Sequence, residues 1–152
     1  MKRPVLAVAL LVAVGCSDPV DPLEHLPIYP GWSLVTVDGR SPPIPDDTGG
    51  SLVSAGLRFL EFASTGSGQG SGVVQYATHV LRAGTLDRSI VQFDFTIGDG
   101  TLRINLCPRL SACIAAAELA GPVTGGTTPL LLTQYLAGQP GSVLQFQAAL
   151  PE

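Results

Sequence analysis

Ser89-Ile90-Val91-Gln92-Phe93-Asp94-Phe95-Thr96-Ile97-Gly98-Asp99-Gly100-Thr101-Leu102-Arg103-Ile104-Asn105-Leu106 decides how this chain folds. Successive side chains of a strand point to opposite faces. Val91, Phe93, Phe95 and Ile97 therefore share one face, and Gln92, Asp94 and Thr96 share the other. Leu102, Ile104 and Leu106 repeat the pattern against Arg103 and Asn105. Between the two runs, Gly98-Asp99-Gly100 signals a tight hairpin, because glycine takes positive φ without steric cost. Two strands with one apolar face each, joined by a tight turn, define an antiparallel sheet packed on a core.

The same grammar extends outward in both directions. Short apolar segments lie at 32–38, ended by Asp38-Gly39, and at 57–63, with a start as early as Leu52. Others lie at 73–82, 113–119, 130–136 and 143–150. Residues 66–72, rich in Gly and Ser, read as a flexible loop. Gln139-Pro140-Gly141 fits a turn with Pro second and Gly third. Residues 111–120, SACIAAAELA, have helical propensity but sit between Pro108 and Pro122, so a helical turn competes with a strand there. The spacing predicts an all-β, up-and-down antiparallel meander of about eight strands. An open meander leaves two raw edges, and closure removes them, which favours a small barrel over a sandwich.

One segment carries a family resemblance. Tyr29-Pro30-Gly31-Trp32-Ser33-Leu34-Val35-Thr36-Val37-Asp38-Gly39-Arg40, followed by Pro42-Pro43, resembles the opening strand of small bacterial lipocalin-like proteins. In those proteins an aromatic begins strand one, and a V-[ND]-G turn with prolines ends it. The order of later hairpins is similar from Gly31 to Leu150. The resemblance implies a lipocalin-like barrel over 31–152, with room for a small apolar ligand.

The N-terminal stretch gives an address. Met1-Lys2-Arg3 is basic, and residues 5–14 are ten unbroken apolar residues. Ten helical residues rise about 15 Å, half of a bilayer core of about 30 Å. The run has the proportions of a signal-peptide core over 1–15 rather than of a membrane span. Ala13-Val14-Gly15-Cys16 resembles the lipobox of bacterial lipoproteins, which implies cleavage after Gly15 and acylation of Cys16. Ser17 after the cysteine resembles the pattern sent to an outer membrane. Residues 16–30 then read as a lipidated cysteine and a tether rich in Pro and acid. Without Lys2 and Arg3, six arginines face twelve acids and no lysine remains, a formal balance of about −6. No basic stripe is present for nucleic acid or anionic lipid. Lysine-based nucleophile chemistry is excluded.

Chemistry-bearing residues are few. With Cys16 assigned to lipid, Cys107 and Cys113 remain as an even pair, expected to form a disulfide in an oxidising compartment. No Cys/His spacing suggests zinc, so no metal site is expected. His25 lies in the tether, and His79 falls in a strand on the face opposite Tyr76 and Val80, with no nucleophile motif nearby. Neither Ser54 nor Ser71 sits in G-x-S-x-G. The G-x-G-x-G within 66–72 lacks a following Lys and a helix to open, so it is no phosphate loop. Asp46-Asp47 before Thr48-Gly49-Gly50 offers too few oxygens at regular spacing for calcium and reads as an acidic turn. Glu61 and Asp94 are expected to pair at the surface with Arg58, Arg82 or Arg103.

Trp32, Phe59, Tyr76, Phe93, Phe95 and Phe146, together with Phe62 and Tyr135, are the candidate lining of a cavity or the filling of a core. An eight-stranded barrel is just wide enough for either. Two functions follow as expectations. One is a lipid-anchored envelope protein whose barrel binds a small apolar ligand. The other is a filled barrel acting as a structural or protein-interaction module. No enzyme class, cofactor or nucleic-acid partner is expected.

Overall fold

The computed structural model describes residues 31–66, 68–109, 111–113, 116–123 and 128–148. The leader, Cys16, the tether with His25, and Leu150 lie outside the described residues. Nine strands appear in chain order. They are β1 (Trp32–Val37), β2 (Ile44–Pro45), β3 (Ser51–Gly66), β4 (Gln69–Arg82) and β5 (Thr85–Gly98), then β6 (Thr101–Asn105), β7 (Ala117–Pro122), β8 (Leu130–Leu136) and β9 (Gln139–Ala148). No helix occurs among the described residues.

Neighbours follow the order β1-β9-β8-β7-β6-β5-β4-β3, and β1 bonds back to β3, so eight antiparallel strands close into a barrel. The short β2 is the extra ninth. It continues along the β3 edge that β1 leaves, with Ile44 opposite Leu52 and Pro45 opposite Ser51. The quoted hairpin forms as the alternation requires: Phe95 faces Ile104 and Ile97 faces Leu102, while Thr96 faces Arg103 on the outside. Inward side chains from the eight barrel strands make one apolar cluster. Phe59 meets Phe95 edge-on at 5.0 Å between ring centroids. Full burial of each such side chain stabilises the fold by about 1.5–3 kcal/mol.

Three local expectations are corrected. Residues 66–72 are not a loop: β3 continues to Gly66 and β4 resumes at Gln69. The glycines there belong to the ladder. A side chain on Gly70 would collide with the ring of Phe62, and one on Gly72 with the carbonyl of Glu61 and the ring of Phe95. Phe62 and Phe95 lie stacked beside these glycines, with ring centroids 6.3 Å apart, so aromatic cover replaces the missing side chains. The turn between the last two strands is Ala137-Gly138 rather than 139–141, and Pro140 sits inside β9 opposite Tyr135. A register shift between Thr133 and Tyr135 accommodates that proline. The strand expected at 113–119 instead spans Ala117–Pro122, and residues 117–120, within the stretch of helical propensity, are extended.

Four turns share one backbone solution. Asp38-Gly39, Ala83-Gly84, Asp99-Gly100 and Ala137-Gly138 each take positive φ at both residues. This is the geometry whose twist matches flanking strands, and it favours Asn or Asp before Gly. Alanine at the first position carries a left-handed penalty of about 1–2 kcal/mol. Replacing Ala83 and Ala137 by Asn is therefore expected to raise stability by about 0.5 kcal/mol at each site. Urea denaturation checks this, and an unchanged or lower midpoint would contradict the turn assignment.

Candidate functional site

The barrel interior comes first, because the sequence places its candidate residues there. Trp32, Phe59 and Phe146 are at most 1% exposed, as are Leu102, Ile104, Leu130, Leu132 and Val74. A side chain bordering a water-sized void would have accessible surface toward it, and these have almost none. Phe93 and Phe95 are also buried. Tyr76 is half-buried beside Phe93, and burial pushes its phenol pKa up. The aromatics thus pack with the aliphatic cluster as a core. Tyr135 departs from the set and faces outward. The indole Nε1 of Trp32 is buried and has no hydrogen-bond partner among the described residues.

The polar groups gather on the outside. Asp94, Thr96, Arg103, Asn105 and Glu118 occupy the outward positions of β5, β6 and β7, by the same alternation that buries Phe95 and Ile104. With Tyr135 of β8 they line a cleft of about 540 Å³. Arg103 Nη1 donates to Glu118 Oε1 at 2.8 Å across neighbouring strands. The disulfide loop borders this face. Cys107 and Cys113 are bonded, with Cα atoms 5.8 Å apart. Inside their loop, the Arg109 backbone N–H donates to the Gln92 carbonyl at 3.1 Å. The Arg109 guanidinium Nε meets Asp94 Oδ1 at 3.1 Å. The disulfide therefore fixes a cation over the outer face of β5. A second cleft, lined by Glu61, Val73, Asp94 and Arg109 among others, adjoins the first.

The expected ion pairs are redistributed. Asp94 pairs with Arg109, Arg103 with Glu118, and Arg82 with Asp46 and Asp87. Glu61 and Asp94 flank Val73 from neighbouring strands on either side. The outward identity of Asp94, Arg103 and Asn105 is legible from alternation. Their convergence with Tyr135 and Arg109 is not, because it depends on register and on the path of the disulfide loop.

Other candidates resolve into local structure. Asp46 Oδ1 accepts from the backbone N–H of Gly50 at 2.6 Å and from both the N–H and the hydroxyl of Thr48 at 2.9 Å. Its carboxylate is spent on the turn and on Arg82 Nη2 at 3.3 Å. Among the described residues, no three of His, Cys, Asp and Glu gather as metal ligands. Ser54 Oγ lies 2.9 Å from His79 Nδ1 on the outer face. No described carboxylate orients that ring, so the pair lacks the third member of a hydrolytic triad. Comparison with protein-family models, curated proteins and solved structures finds no match for this chain.

Two expected outcomes follow. The Gly50 amide, then the Thr48 and Arg82 contacts, hold the Asp46 pKa down at about 2. The unfolded carboxyl titrates near 3.9, so its stabilising contribution is complete above about pH 4 and is lost as pH falls through about 2. The difference in thermal midpoint between wild type and Asp46→Asn is expected to shrink over that range. A difference independent of pH would contradict the turn's role. Separately, replacing Cys107 and Cys113 by Ser is expected to cost about 2 kcal/mol on the chain-entropy model. Amide exchange at Arg109 should rise with it. Unchanged stability and unchanged exchange would show that the loop is held without the disulfide.

Proposed function

We propose that this chain is an exported envelope lipoprotein, anchored through Cys16, whose lipocalin-like barrel is a filled scaffold that works through its outer surface. The observation that carries the reading is the interior, where the side chains at the centre have almost no accessible surface. The Cys107–Cys113 disulfide supports an oxidising compartment. The basic start, the ten-residue apolar run and Gly15-Cys16 support export and acylation. A diacylglycerol with an added acyl chain supplies the two or more chains that stable anchoring requires. In this reading the membrane is an outer membrane, the domain faces the periplasm, and residues 16–30 hold the barrel clear of the lipid surface. Contacts fall to the outer faces, where the cleft beside Tyr135 and Arg103 offers paired charges, an amide and a phenol. The reading includes no catalysis, cofactor or nucleic acid.

The test has two arms. Metabolic labelling with radioactive fatty acid in a bacterial host is expected to mark the wild type and leave Cys16→Ser unmarked. Mass spectrometry of an organic extract of the purified native barrel is expected to return no stoichiometric lipid. An unlabelled wild type would remove the anchor, and one equivalent of a recovered lipid would remove the filled scaffold.

A further inference from the structure

The hairpin of β4 and β5 outruns its neighbour. β5 spans Thr85–Gly98, but β6 pairs with it only over residues 95–98. Nearer the tip, Arg109 takes the carbonyl of Gln92 from the side away from β4. In an antiparallel ladder, alternate residues turn both N–H and C=O toward the same neighbour. Leu86, Arg88 and Ile90 are in phase with Gln92, so their backbone groups also face away from β4. Among the described residues, no backbone partner meets them. Three donors and three acceptors therefore stand open in a row.

The side chains of the same three residues share the outer face. Leu86 is 56% exposed and Ile90 45%, and Leu81, opposite Leu86, is 43% exposed. Arg88 sits between Leu86 and Ile90 and opposite His79. Among the described residues Arg88 meets no carboxylate. A chain of net charge −4 thus places an uncompensated cation between two exposed aliphatic residues on an open edge.

We propose that this edge of β5 docks an extended strand of another protein that presents an acid between two apolar residues on one face. This deepens the surface-acting reading above and rests on it. Backbone hydrogen bonds to Leu86, Arg88 and Ile90 add the strand to the sheet, as in other strand-addition complexes. Its acid meets Arg88, and its apolar neighbours cover Leu86 and Ile90. A second copy of this chain is the wrong occupant. The two-fold register that uses all three residues from both copies centres on Arg88 and sets it against itself. Like charges directly opposed across strands are destabilising.

The probe is a fluorescein-labelled heptapeptide, Thr-Val-Thr-Glu-Thr-Val-Thr, titrated with purified full-length protein in detergent micelles and read by anisotropy. Saturable binding is expected. Replacing the peptide's Glu by Lys is expected to weaken it about tenfold, a shift from attraction to repulsion, and Arg88→Glu should invert the preference. N-methylation of the peptide's Glu, whose N–H faces β5, should abolish binding, whereas N-methylation of the threonine beside it, whose N–H faces away, should not. Absent binding, equal binding of both peptides, or indifference to N-methylation overturns the proposal. So does a wild-type dimer, seen by sedimentation, that the peptide dissociates, which would assign the edge to a second copy. The readout does not depend on acylation or on lipid extraction, so failure here and failure of the anchored-scaffold reading are separable.

Discussion

Two residue pairs close this barrel. Trp32 lies opposite Leu57 and Ser33 opposite Gly56, and nothing else in the register joins β1 to β3. The seam needs the backbones close together. A side chain on Gly31 would collide with the carbonyl of Leu57, and one on Gly56 would crowd the carbonyl of Trp32. Trp32 also pairs with Ala148 on β9, so the residue at the seam belongs to both ladders. Its row continues through Leu57, Tyr76 and Val91 across β3, β4 and β5. A ring of eight strands without this seam would be an open sheet with two long edges, which invite pairing with other chains. The indole, buried at the seam, fills the space that closure creates, and its unpaired N–H costs less than the apolar surface it removes from water.

Phe59, Phe95 and Phe146 occupy the centre of the closed barrel, and the polar side chains stand on the outer faces of the strands. The disulfide loop matters because it lies on that outside, tying Arg109 to Asp94 and to the β5 backbone. It covers the edge of β5 at Gln92 and stops short of Ile90. Among the described residues, this small covalent loop therefore sets where the edge of β5 is covered and where it stays open.

Legibility followed the physics of each element. Strict alternation made the β5–β6 hairpin readable, because a half-buried strand has few other ways to bury Phe93, Phe95, Leu102 and Ile104. Cys107 and Cys113 were readable once Cys16 was set aside. Glycine misled at 66–72, since its entropy argues for a loop while the rings of Phe62 and Phe95 were the unseen tertiary cover. Ala137-Gly138 was hidden because alanine has no local preference for a left-handed turn, and Pro140-Gly141 imitates one. The outer cleft was half visible: alternation turned Asp94 and Arg103 outward, but only register brought Glu118 and Tyr135 beside them.

Trp32 is the only tryptophan of the chain and sits at the seam of the filled interior, so its fluorescence reports directly on the central claim. The measurement is a titration of the native protein with a bromine-labelled fatty acid, a contact quencher. A dry, packed barrel should show blue-shifted emission that the titration leaves unchanged. Saturable quenching at one equivalent would place a ligand against the indole and contradict a filled core.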